Sequence, residues 1–218
     1  MSKLQTTVFT LILALALAAL PAPVPAWGQQ PTPANLSPTD RADVQRIEKY
    51  LNLIKTMQAR FLQVSSGGDY SEGNMYFSKP GKMRLEYDAP KPVLIVSDGT
   101  NLAYVDKELK QVSYFDLAST QASVLLKDVI SFSAGEVIIT AFERGPGVLR
   151  LTLIKNDDPL EGNITLIFSD RPLDLKKWTV TDAQGIVTNI SLLGPRFGGT
   201  LDPALFDYRE PDDATATQ

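Results

Sequence analysis

Between Ser37 and Ile54 the apolar residues Val44, Ile47, Leu51 and Ile54 recur at intervals of three and four, which puts them on one stripe of a helix. Ser37 is suited to the N-cap, Pro38 to the first helical position, and Asp40 sits three residues past the cap. From Met57 the period changes to two. Met57, Ala59 and Phe61 share one face of a strand, with Arg60, Leu62 and Val64 on the other. Gly67-Gly68 closes that strand. Met75 and Phe77 alternate through 74–78, Pro80-Gly81 makes a turn, and Met83, Leu85 and Tyr87 alternate with Lys82, Arg84 and Glu86 on the return. Further strands are predicted over 93–97, 102–105 and 111–114. Over 119–130 the residues Val124, Leu125, Leu126, Val129 and Ile130 fit a short helix better than a strand. Alternation then resumes over 136–142, 148–154, 163–169, 176–181 and 187–193, punctuated by Gly145-Pro146-Gly147, Asn156-Asp157-Asp158-Pro159, Arg171-Pro172 and Gln184-Gly185.

Short turns between successive strands demand antiparallel neighbours, because parallel pairing needs a crossover of about a dozen residues or more. The expectation is therefore a mainly β protein with some α. It has one large antiparallel meander of about 10–11 strands, helices on one side, and a tendency to curl without closing. Short helices cover the concave face of such a sheet only partly or reversibly, which leaves an apolar groove. Met75, Phe77, Met83, Leu85, Leu94, Val96 and Phe168 are the residues assigned to it, either as plain core under the helices or as the lining of a site for a greasy ligand. Met75 and Met83 favour the second use slightly, since thioether side chains adapt to variable apolar partners.

The ends read differently. Residues 1–26 have the form of a secretory signal peptide: Lys3 provides positive charge, 8–20 is an apolar run broken only by Thr10, and Val24-Pro25-Ala26 offers small residues for cleavage, with Gly28 as an alternative site. Residues 27–36 are rich in Pro and Gln and are expected to form a flexible arm, 37–211 the folded domain, and 212–218 an acidic, disordered tail. The 218-residue chain contains no Cys and no His, which removes thiol nucleophiles, imidazole bases and the common zinc and iron–sulfur ligand sets. A net charge of −4 argues against nucleic-acid binding.

The remaining polar constellations are weak. Asp157-Asp158 and Asp212-Asp213 lie in turn or tail contexts, where Asp caps backbone amides. Asp98, Asn101 and Asp106 lack the spacing of a calcium loop, and Gly145-Pro146-Gly147 is not followed by a phosphate-binding helix. Lys79, Lys82, Arg84 and Lys91 form a local basic cluster that reads most simply as a solvated strand face.

The ordered series of motifs is more informative than any one of them. The run Glu72-Gly73-Asn74-Met75-Tyr76-Phe77-Ser78-Lys79-Pro80-Gly81-Lys82-Met83-Arg84-Leu85-Glu86-Tyr87, then Pro90 and Ile95-Val96-Ser97-Asp98-Gly99, resembles the periplasmic outer-membrane lipoprotein carrier family, LolA. Upstream, Ala59-Arg60-Phe61-Leu62-Gln63 is similar to that family's A-x-F-x-Q strand. Downstream, Asp182-Ala183-Gln184-Gly185 with Thr188 and Ile190 is similar to its D-x-Q-G-x-x-T-x-I strand, and Phe206-Asp207-Tyr208 to a closing strand.

The resemblance implies a single open, incomplete antiparallel barrel covered by lid helices, whose apolar cavity holds lipoprotein acyl chains in transit from the inner to the outer membrane of a Gram-negative cell. It implies a lid-latch role for Lys79, where an Arg is usual, and a transporter contact at Met83, where an aromatic is usual; Leu85 stands where the family has Trp. The implied partners are acylated lipoprotein cargo, an inner-membrane ABC-type releasing transporter and possible outer-membrane lipoprotein receptor, with no nucleic acid. A periplasmic monomer without cofactor or metal, and without enzymatic activity, is expected. The competing reading is a periplasmic lipid- or lipoprotein-sensing regulator on a related half-barrel. An enzyme would need a carboxylate inside the groove, and the predicted groove stripe has none.

Overall fold

A computed structural model describes residues 31–208. The predicted signal peptide, residues 27–30 of the arm and the tail lie outside the described residues. Helix α1 spans Pro38–Leu53 and begins with a capping box: the Ser37 hydroxyl accepts from the Asp40 N–H at 3.1 Å, and the Asp40 carboxylate accepts from the Ser37 N–H, also at 3.1 Å. Six strands follow: β1 (Thr56–Ser65), β2 (Tyr70–Ser78), β3 (Lys82–Tyr87), β4 (Val93–Asp98), β5 (Asn101–Asp106) and β6 (Gln111–Asp116). After a 3-10 turn at Leu117–Ser119 comes α2 (Ser123–Leu126). Five more strands complete the sheet: β7 (Val137–Gly145), β8 (Val148–Lys155), β9 (Gly162–Ser169), β10 (Asp174–Asp182) and β11 (Val187–Phe197). The helix expected over 119–130 is therefore cut to four residues. Capping turns at Thr120 and the extended conformation of Lys127 bound it on either side.

The strands form one open 11-stranded antiparallel sheet in the order β6-β5-β4-β3-β2-β1-β11-β10-β9-β8-β7. It is two meanders rather than one. The first and last strands pair with each other, Phe61 opposite Leu192, so the edges fall at β6 and β7 in the middle of the chain. The segment from Leu117 to Glu136 links those edges. One apolar cluster gathers Met57, Phe61, Met75, Leu102, Val137, Leu151, Leu166 and Phe168 from strands of both meanders, together with Val44, Ile47 and Leu51 of α1 and Val124–Leu126 of α2. A single face of the sheet thus curls round one core, and α1 lies in its mouth.

Two of the glycines that close approach requires lie on the first meander. A Cβ on Gly73 of β2 would sit 2.1 Å from the Glu86 carbonyl oxygen of β3, and one on Gly81, whose φ is +70°, would meet the Gly99 Cα at 2.6 Å. The second contact stacks the β2–β3 turn on the β4–β5 turn and fixes the rim beside α2, where the Gly81 N–H donates to Leu126 O at 2.8 Å.

Two expectations about the ends are corrected. Part of the supposed flexible arm is anchored: the Ala34 N–H donates to Ile139 O of the β7 edge at 2.8 Å, and Leu36 packs on the core. The Phe206-Asp207-Tyr208 motif is not a strand. Pro203–Phe206 is a 3-10 turn on the convex side of β3 and β4, held by the Arg84 guanidinium donating to Leu205 O at 3.0 Å.

Candidate functional site

Cross-strand register decides which of the predicted groove residues face inward. Met75 pairs with Leu85 and Phe77 with Met83 across β2 and β3, so all four project to the same face. Met75, Phe77 and Met83 are buried in the main cluster, and Leu85 packs against it half-buried. Phe168 is fully buried and meets the Tyr50 ring of α1 edge-on, with ring centroids 6.0 Å apart. Leu94 and Val96 are placed otherwise. Val96 opposes Arg84 and Leu94 opposes Glu86, which puts both on the convex face. There they form a second cluster with Ala103 and Val105, against which Val112 and Tyr208 pack. Their assignment to the groove is corrected for a simple reason: an apolar run buried on both faces, Val93-Leu94-Ile95-Val96, carries no parity signal. On the inner face of β4 lie Ile95, opposite Leu85, and Ser97, opposite Met83.

Helix α1 closes the apolar face through polar ties, several of them invisible to a hydrophobic pattern. Lys79, at the end of the β2–β3 hairpin, donates from Nζ to Leu51 O at 2.9 Å. The carbonyls of a last helical turn lack intrahelical partners and carry partial negative charge. No basic residue of α1 occupies that turn, so the hairpin supplies the cation. Burial pushes the Lys79 amine down to about 8, and the nearby Lys55 adds to the effect while Asp128 opposes it. The basic cluster expected around it is not one patch, because Arg84 points to the convex side and pairs with Glu86 there.

The other ties join α1 to the segment between the two edges and to the second meander. The Asn52 side chain accepts from the Ile130 N–H and donates to Ile130 O, both at 2.8 Å, and Glu48 accepts from the Phe132 N–H at 2.7 Å. Tyr50 donates to Asp174 Oδ1 at 2.8 Å and accepts from the Leu175 N–H at 3.1 Å. Burial, helped by the Asp174 carboxylate, pushes its hydroxyl up to about 12. Arg46 pairs with Asp170, and Arg144 with Asp40 and Asp43. The covering unit is therefore α1 plus 128–132, stitched by side chains that copy backbone hydrogen bonding.

Two voids lie beside the covering segments among the described residues. The void bounded by Leu51, Ile54, Phe77, Lys79, Leu125 and Trp178 is about 10 Å³, room for one water molecule at most. A cavity of about 550 Å³ opens at the rim, between Pro80-Gly81, Leu117, Val124, Val137 and Lys155. Beyond the lid, Tyr104 and Phe115 on β5 and β6 continue the inner face and stand 38% and 49% exposed. The sequence candidates for metal binding cap turns instead: Asp98 accepts from the N–H groups of Thr100 and Asn101 at 2.8 and 2.9 Å. Among the described residues no three acidic side chains are grouped to hold a metal, and no helix is long and apolar enough to cross a membrane.

The family model described as outer membrane lipoprotein carrier protein LolA matches residues 52–209. An outer-membrane lipoprotein carrier protein of Azotobacter vinelandii is 31% identical over 193 residues, covering 84% of this chain and 92% of that protein. One of Methylococcus capsulatus is 30% identical over 174 residues, covering 76% and 83%. A solved LolA superfamily protein of Nitrosomonas europaea superposes with a TM-score of 0.46 at 11% identity, over 75% of this chain and 97% of that one. With a family model spanning most of its length and curated relatives at this identity, the chain belongs to the LolA family of outer-membrane lipoprotein carrier proteins.

Proposed function

We propose that this protein carries lipoproteins across the periplasm by holding their acyl chains against the inner face of its open sheet. The observation that supports this most directly is an apolar face built from two meanders and covered by α1 and the segment linking the sheet edges, rather than by further sheet. Each methylene taken out of water is worth about 0.8 kcal/mol, so a chain of about fifteen methylenes is held in its membrane by ~12 kcal/mol. A soluble surface that buries the same chain removes that barrier. Because α1 and the acyl chains compete for one face, closing the lid offsets part of the binding energy and keeps onward release feasible.

Within this reading Met75, Phe77, Met83, Leu85 and Phe168 contact acyl chains, Ile95 replaces Leu94 and Val96, and Lys79 latches α1 shut. Lys is a point charge without Arg's planar fork, so its single bond to Leu51 O holds the helix less firmly than a bidentate donor would. The signal-like sequence at residues 1–26 delivers the chain to the periplasm. Loading falls to an inner-membrane ABC-type transporter, which reaches Met83 once the covering segments move aside, and delivery falls to an outer-membrane receptor or the membrane itself. The test is native mass spectrometry of the secreted protein purified without detergent from a host making triacylated lipoproteins. A 1:1 complex with an acylated protein is expected; apo protein alone, even after presentation of cargo by its transporter, refutes the reading.

A further inference from the structure

The two sheet edges do not pair with each other, and the cavity of about 550 Å³ lies between them. It is lined by Asp116 and Leu117 where β6 ends, by Val137 where β7 begins, and by Lys155 at the end of β8. The Lys155 side chain spans this seam. Its Nζ donates to Ala118 O of the 3-10 turn at 2.6 Å and to Glu161 Oε2 of the β8–β9 loop at 3.1 Å. Lys155 is 7% exposed, and a buried ammonium is tolerated only when it is paired. Its two partners come from opposite sides of the seam. Leu117, Val124, Leu126 and Val137 line the same cavity and belong to the main apolar cluster, so its apolar wall is continuous with the inner face of the sheet.

We infer that the seam between the sheet edges is the portal through which an acyl chain enters, and that Lys155 is the clasp that holds it closed. The inference rests on the carrier reading and specifies the route. Beside the end of α1 the void is about 10 Å³, whereas the seam already holds space on the scale of a ligand pocket. Phe115, half-exposed on the inner face of β6, stands beside the portal and gives an entering chain its first apolar contact. The clasp is suited to reversible opening. When the 3-10 turn swings away, Lys155 keeps Glu161, so no uncompensated charge is left buried. Ala118 is exposed, and its carbonyl passes to water. Only one charge-assisted hydrogen bond is exchanged. Lys79 acts on α1 and Lys155 on the segment that links the edges, so each covering element has its own latch.

The chain contains no Cys, so a pair introduced by Ala118→Cys and Asp157→Cys, both exposed and on the two sides of the seam, is the sole target of a thiol-reactive linker. A bis-methanethiosulfonate joins the two thiols and is removed by a reductant. Uptake of a fluorescent triacylated lipopeptide, presented below its aggregation limit, is measured with the linker in place and after reduction. Uptake at least about tenfold slower in the linked protein, restored by reduction, is expected; equal rates overturn the portal. In a second arm, Lys155→Met keeps an apolar stem and removes the amine. Loss of one hydrogen bond from a charged donor raises the open population about tenfold. Amide exchange over 117–126 and lipopeptide uptake should both be faster by about that factor. Unchanged or slower uptake, even in a variant that melts lower, makes Lys155 a structural residue and overturns the clasp. The linked pair tests the portal even if Lys155→Met does not fold. If the wild-type chain takes up no lipopeptide, the carrier reading itself fails, while exchange over 117–126 still decides whether Lys155 holds the segment.

Discussion

Titrating the wild-type chain and a Lys79→Met variant from pH 7 to pH 9.5 isolates the energy stored at the latch. The amine sits at about 8 in the folded chain against an ordinary value of 10.5. Below the folded value both folded and unfolded chains carry the proton, and the folded state bears the whole penalty of confining the charge. Between the two values the unfolded chain holds a proton that the folded chain has released, so stability rises with pH. By pH 9.5 the folded amine has stayed neutral over about 1.5 pH units in which the unfolded chain keeps its proton, and at about 1.4 kcal/mol per pH unit this is ~2 kcal/mol. Lys79 is only half-buried and water screens it, so half of that, ~1 kcal/mol, is the expected gain. A domain of this size should melt about 3 °C higher at pH 9.5 than at pH 7. Tyr50 and Tyr87, both pushed up to about 12 by burial, act the other way. Above about pH 10 the unfolded chain loses protons that these two retain when folded, so stability turns down there and the comparison stops short of it. The assay is urea unfolding followed by the fluorescence of Trp178, at fixed ionic strength. Lys79→Met should abolish the rise; a variant that rises as wild type does would refute the assignment of the effect to the latch.

Other consequences are open to direct measurement. Asn52→Ala leaves the Ile130 N–H and carbonyl without their partner and should lower stability by about 2–4 kcal/mol, with faster amide hydrogen exchange at Ile130; unchanged exchange there would show that the tie contributes nothing to lid closure. Phe168→Ala removes a fully buried ring under Tyr50 and should cost about 3–5 kcal/mol in denaturant unfolding. Leu94→Ala should destabilise by about 2–4 kcal/mol yet leave acyl-chain affinity as it is, whereas Met83→Ala should change affinity; equal effects on binding would return Leu94 to the groove. Gly73→Ala forces a Cβ onto the Glu86 carbonyl and should prevent normal pairing of β2 with β3, read as loss of the cooperative melt.

Local signals in the sequence determined the elements. Ser37, Pro38 and Asp40 place the start of α1 because an N-cap is satisfied by residues within one turn. Alternation in β1, and in the hairpin of Met75, Phe77, Met83 and Leu85, names the inward face because side-chain direction in a strand has a period of two. The ordered motifs from Ala59 to Gly185 also carried the family resemblance, and with it an open sheet under a lid. What the tertiary structure alone decided is everything that depends on residues distant in the chain. The pairing of β1 with β11 splits the meander and puts the sheet edges at β6 and β7, a long-range choice that no local window contains. Leu94 and Val96 lie on a run buried on both faces, so only the C-terminal turn packed beneath them reveals which side they serve. Asn52, Glu48 and Lys155 look like ordinary polar residues of a helix and a strand. Their significance comes from burial and from partners found some eighty residues away or in another segment, because hydrogen-bond satisfaction belongs to the folded interior and not to the sequence neighbourhood.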